Sequence, residues 1–180
     1  NSFETYIVGD LDGNLVYATD NAKVNIKDRE YFKRATAGEL FISEPLISRG
    51  TGHVIVVIAA PIRNDSNRIV GIAAGMLPTN NIIQQLSLLQ TGATADSYMV
   101  TREGIFFTPS RFETELKEAG RINERTELEL KAESFGIQQA IQGKTGASVY
   151  KNYLGRESFG AYGWIEKGKW CILWEQDTSE

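Results

Sequence analysis

His53-Val54-Ile55-Val56-Val57-Ile58-Ala59-Ala60-Pro61-Ile62, the polar joint Asn64-Asp65-Ser66-Asn67, and Ile69-Val70-Gly71-Ile72-Ala73-Ala74-Gly75-Met76 place two apolar runs around one turn. Their β-branched content favours strands over a short buried helix. Each run is about nine residues long, against the roughly twenty that a bilayer-crossing helix needs. Working toward the N-terminus, Phe41-Ile42 is a short strand signal and Asp28 to Gly38 reads as a helix. Asp28 can cap it, Tyr31, Phe32 and Ala35 recur at helical spacing, and Gly38 can end it. Phe3 to Val8 and Leu15 to Ala18 form an opening hairpin around Asp12-Gly13-Asn14, where positive φ costs little.

Working toward the C-terminus, a helical stretch from about Asn80 to Leu89 ends at Thr91-Gly92, and the opening pattern restarts. Ser97-Tyr98-Met99-Val100, a turn at Arg102-Glu103-Gly104, and Ile105-Phe106-Phe107 mirror the first hairpin. The spacing then predicts a helix over roughly Thr126 to Gln142. Three strands follow, Ala147 to Tyr153, Ser158 to Trp164 and Lys169 to Gln176. Hairpin, helix and further antiparallel strands thus occur twice. The expected fold class is α+β, with two tandem modules, each a central antiparallel sheet flanked by helices. Residues 1–78 make the first module, 79–90 a connecting helix and 91–180 the second.

The composition narrows the function. A formal net charge of −4, with basic residues scattered along the chain, argues against a nucleic-acid partner, which needs a concentrated Lys/Arg face. One histidine, His53, and one cysteine, Cys171, exclude a His- or Cys-rich metal site and an internal disulfide, and no cofactor is expected. Cys171 among Trp170, Ile172, Leu173 and Trp174 reads as a core residue, and His53 as a solvated loop residue. Asp10, Asp12 and Asn14 with Gly13 do not have calcium-loop spacing and read as turn residues. No phosphate-cradling glycine loop, nucleophile elbow or paired-carboxylate pattern stands out, so the chain itself is not expected to be an enzyme.

One composite is specific. Asp28-Arg29-Glu30-Tyr31-Phe32-Lys33-Arg34-Ala35, Ile42-Ser43-Glu44-Pro45-Leu46-Ile47-Ser48, Thr51-Gly52 opening a strand that ends Ala59-Ala60-Pro61, and Val70-Gly71 opening the next follow one another in order. This closely resembles the double Cache domains, extracytoplasmic sensors built of two PAS-like modules. The resemblance continues through Gly92 to Pro109 and Gly155 to Glu175, with Trp170 in the closing strand. It implies a periplasmic or outer-face sensor of a membrane-anchored receptor, first of all a sensor histidine kinase, with chemoreceptors and diguanylate cyclases as the alternatives. It also implies a long helix before the first module, through which a homodimer could form, and this chain starts after that point.

The resemblance further implies a ligand site in the first module. Arg29 would reach between helix and sheet to hold a ligand carboxylate by two parallel charge-assisted hydrogen bonds. Tyr31 and Phe32 match the aromatic positions that line the pocket, and Leu46 and Ser48 match positions on the facing strand. Amino-acid-binding members carry a tyrosine before the arginine and an aspartate for the ammonium group. Here those positions fall on Val24 and Met76. A buried ammonium would lack a counter-charge, so the expected ligand is a small carboxylate or a neutral compound. Two readings from other classes stay open: a soluble α+β hydrolase or lyase, and a ligand-free dimerisation module.

Overall fold

A computed structural model describes residues 3–180, which form two compact units that divide between Pro78 and Thr79. No helix among the described residues is long and apolar enough to cross a membrane.

The first unit is an antiparallel sheet in the order β2-β1-β6-β5-β3, with β4 also paired to β5. Its strands are β1 (Thr5–Gly9), β2 (Leu15–Ala18), β3 (Phe41–Ile42), β4 (Leu46–Ile47), β5 (Val54–Arg63) and β6 (Ile69–Pro78). The two apolar runs do pair as a long hairpin, from Ile55 opposite Pro78 to Arg63 opposite Ile69. Side chains alternate across a strand, so Ile55, Val57 and Ala59 of β5 share a face with Ile72 and Ala74 of β6 and Ile7 of β1. Helix α1 (Glu30–Thr36) buries Tyr31, Phe32 and Ala35 on that face, and Ile26 closes the same cluster. The cap differs from the expectation. Arg29, not Asp28, holds the N-cap position and makes no side-chain cap bond. Asp28 instead accepts from Arg49 at both oxygens, at 2.9 and 2.6 Å. The Asp10 loop is a turn, its Oδ1 accepting from the Asp12 and Asn14 amides at 2.9 Å each.

The second unit has a four-stranded sheet, β7-β10-β9-β8, from β7 (Asp96–Thr101), β8 (Gly146–Lys151), β9 (Glu157–Ile165) and β10 (Trp170–Asp177). Helices α2 (Thr79–Leu86), α3 (Glu113–Glu118) and α4 (Phe135–Ile141) complete it. Its core gathers Tyr98, Val100, Phe106, Leu116, Ile137, Cys171 and Leu173. Cys171 is a core residue here, and burial pushes its thiol up to about 11.

Two expectations fail in this unit, and one helix was not expected. The helix expected over Thr126–Gln142 is only Phe135–Ile141, capped by Ser134, whose Oγ accepts from the Ile137 amide at 3.3 Å. The residues before it run as backbone alongside Gly104–Phe106. Leu128 and Ala132 donate to Phe106 and Gly104, and Phe106 donates to Leu130. These bonds use amides that a helix would need internally. The return arm Ile105–Phe107 therefore forms isolated bridges to Val100 and Lys131 instead of a regular strand. Helix α3 has no forecast in the sequence, because its Glu-Thr-Glu-Leu-Lys-Glu buries Leu116 alone.

Candidate functional site

The first unit encloses a small cavity between α1 and the sheet. Thr5 and Met76 stand opposite each other in the β1–β6 register, so both point to the same face and form its floor. Ile7 and Ile55 widen that floor, Val24 and Ile26 form one wall, and Leu46 and Ser48 form another. Arg29 enters from the start of α1, with Tyr31 beside it. Of the residues singled out in the sequence, Arg29, Tyr31, Leu46, Ser48 and Met76 meet at this cavity. Phe32 does not line it: it is 4% exposed and lies in the core under α1, because it follows Tyr31 by one residue on a helix and so points elsewhere.

The polar groups divide into committed and uncommitted ones. Arg49 lines the cavity but is bidentate to Asp28 and donates to the Asn25 carbonyl at 3.0 Å. Arg29 makes one long hydrogen bond, Nη2 to the Ile47 carbonyl at 3.4 Å, and no carboxylate among the described residues pairs with it. Tyr31 is 3% exposed, and burial pushes its hydroxyl up to about 12 while the charges of Arg29 and Arg49 pull back. It is a neutral donor under ordinary conditions. Ser48 Oγ is engaged in its loop, accepting from the Thr51 amide at 3.2 Å.

Asp20 was not anticipated. Its Oδ2 accepts from Thr5 Oγ1 at 3.4 Å and its Oδ1 from the Ala22 amide at 3.0 Å, which turns the loop after β2 into the cavity. Asp20 sits in a polar stretch, Thr19-Asp20-Asn21, that gives no sign in sequence of facing a site. The cavity thus presents a cationic group, a neutral hydroxyl and a carboxylate over a floor that is apolar apart from Thr5. Its volume is about 20 Å³, room for about one water molecule. Gly50 keeps it narrow: a Cβ there would stand 3.0 Å from Asp20 Oδ2.

A family model for the Cache domain matches residues 2–180. The chain belongs to the Cache domain family. A Cache domain is a ligand-binding sensor module, non-catalytic in itself. The fold is similar to that of an extracellular ligand binding receptor from Desulfohalobium retbaense, with a TM-score of 0.72 and 11% identity over 98% of this chain and 30% of that one. It is similar to the sensor domain of the V. cholerae histidine kinase DctB, with a TM-score of 0.68 and 12% identity over 99% of this chain and 73% of that one. It is also similar to the ligand-binding domain of the Pseudomonas aeruginosa amino acid chemoreceptor PctB in complex with L-Arg, with a TM-score of 0.67 and 15% identity over 99% and 73% of the two chains. At these identities the likeness is one of fold. No curated protein sequence matches the chain.

The second unit of this Cache domain has a larger open groove, about 280 Å³, between Leu86, Tyr162, Ile172 and Trp174. Its lining carries no charged residue, and its polar side chains are the hydroxyls of Ser97, Thr145 and Tyr162. Among the described residues no three His, Cys, Asp or Glu side chains gather as a metal site.

Proposed function

We propose that this Cache domain is the extracytoplasmic sensor of a membrane-anchored receptor, first of all a histidine kinase, and that the first unit binds a small carboxylate at Arg29. The observation that carries the reading is the uncommitted Arg29 guanidinium at a cavity whose other arginine is already neutralised. A carboxylate there would gain charge-assisted bonds from Arg29 and a hydrogen bond from the Tyr31 hydroxyl. The cavity volume of about 20 Å³ means that a ligand larger than water enters only if the walls of the cavity move apart. That movement is the conformational difference through which binding becomes a signal. A ligand shifts such an equilibrium only by its differential affinity for the two geometries.

Asp20 favours a second reading of the ligand. It supplies a negative group to the cavity that has Met76 on its floor, so a compound bearing both a carboxylate and an ammonium finds a partner for each. The structural relative PctB binds amino acids.

Thermal unfolding and calorimetry against small carboxylates, amino acids and amines test both readings, because a ligand of the folded state raises the midpoint by mass action. Arg29→Ala is expected to weaken a carboxylate ligand by at least about tenfold while the unliganded midpoint stays near that of the parent. Asp20→Asn separates the two ligands. It weakens a zwitterion and leaves a plain carboxylate unchanged or tighter. Unchanged affinity in Arg29→Ala overturns the assignment of the anchor. Silence across the whole set would instead favour the dimerisation module.

A further inference from the structure

The core face of the second sheet carries two carboxyl groups side by side. Glu175 on β10 stands directly opposite Asp96 on β7, so their Cβ atoms leave the same face about 5 Å apart. Each residue is 1% exposed. Asp96 is well supplied: it accepts from the Tyr153 hydroxyl, from Ser110 Oγ at 3.1 Å, from Gln90 Nε2 at 3.1 Å and from the Arg111 amide at 3.2 Å. Glu175 is not. Neither of its oxygens has a hydrogen bond of ordinary geometry, nor do the Tyr98 and Tyr150 hydroxyls that lean toward it.

The surroundings offer no charge to neutralise the pair. Strand β7 contributes Asp96 and Tyr98, β8 contributes Tyr150, and β10 itself contributes Asp177, which Arg156 meets at 3.8 Å. Opposite Glu175, β9 brings Gly160, and α4 brings Gly136, Ile137 and Ala140, none of which titrates. Tyr153 belongs to the Asp96 side. Arg111, the nearby cation, sends its guanidinium to the Ala95 carbonyl at 3.0 Å. Tyr150 packs closely over the glycines: a Cβ on Gly160 or Gly136 would fall 2.1 or 2.2 Å from its hydroxyl.

Two adjacent buried carboxylates without a cation cannot both ionise at low cost. A proton is the one counter-ion that needs no cavity. We propose that Asp96 and Glu175 form a proton-linked switch, in which the pair holds a proton in the folded state and its loss loosens the second sheet at its inner strand β10. This device is separate from the Arg29 site. Burial pushes Glu175 up to about 7 from its ordinary 4.5; the Tyr98 and Tyr150 hydroxyls oppose the rise and the charges of Asp96 and Asp177 add to it. Burial raises Asp96 as well. The folded state then holds a proton that the unfolded chain has released, so stability falls as pH rises from about 4.5 to about 7 and levels off above. One proton changes the unfolding equilibrium constant by up to about tenfold per pH unit in that window.

All three tryptophans, Trp164, Trp170 and Trp174, lie in the second unit, so fluorescence-detected unfolding of the 180-residue chain reads that unit. Between about pH 5 and about pH 8 the midpoint of the parent chain is expected to fall, and that of Glu175→Gln to stay level. Parallel curves for the two proteins, or a level parent, overturn the switch. Should Glu175→Gln fail to fold, carbon NMR of glutamate-labelled parent chain decides. A carboxyl titrating near neutrality at Glu175 upholds the switch, and ordinary carboxylate behaviour there overturns it.

Discussion

Truncating Phe106 to alanine is expected to cost the second unit about 3–5 kcal/mol, the usual range for removing a buried aromatic ring. Phe106 is 0% exposed and stacks on Tyr98 with ring centres 4.5 Å apart and planes 13° apart. Tyr153 meets both rings edge-on at 5.0 Å, so the three rings form one block. The main chain at this position donates to Leu130 at 2.9 Å and accepts from Leu128 at 2.7 Å, and alanine keeps both bonds. The loss therefore reports the ring alone. Urea unfolding followed by tryptophan fluorescence measures it, and a loss below about 1 kcal/mol would show that the block closes over the hole.

Gly13→Ala is expected to cost the first unit about 3 kcal/mol and to weaken ligand binding with it. Gly13 has φ +82°, a region where a β-carbon alone costs roughly 1 kcal/mol. That carbon would also stand 2.6 Å from the Lys27 nitrogen, which is backbone and cannot turn aside. Relief requires the segment Asn25–Lys27 to shift, yet the Ile26 amide donates to the Gly13 carbonyl at 2.9 Å and Ile26 is a wall of the cavity. Gly52→Ala is the control. Its φ is +74°, and a β-carbon there meets nothing within 4 Å, so only the backbone cost applies. Protection of the β1 and β6 amides against hydrogen exchange compares the two variants. Equal losses would mean that the Lys27 contact relaxes without effect.

The hairpin β5–β6 was legible because an apolar run of β-branched residues has few other uses, and α1 because Tyr31, Phe32 and Ala35 share one face. Arg29, Tyr31, Leu46, Ser48 and Met76 could be named together because the resemblance lines up whole motifs, and they do meet at one cavity. Phe32 could not be told from Tyr31, since adjacent aromatics both look available until the sheet fixes the rotation of the helix. Asp20 and Arg49 were out of reach for a different reason. Loops after β2 and β4 bring them in, and loop direction follows from tertiary bonds such as Thr5 to Asp20. The same holds for Thr126–Ala132, where pairing with Gly104–Phe106 overrode local helical preference. The Asp96–Glu175 pair depends on strand register, which no spacing along the chain reveals.

The strand orders carry a consequence for biosynthesis. In each sheet the last strand to be made lies inside: β6 between β1 and β5, and β10 between β7 and β9. As the chain leaves the ribosome, the first unit can close once Pro78 has emerged. The second cannot, because β7 waits with an unpaired edge until Trp170–Asp177 is available. A nascent chain halted after Ile165 would therefore carry one finished unit and one sheet with an open seam between β7 and β9, the kind of edge that recruits strands from other chains and holds chaperones.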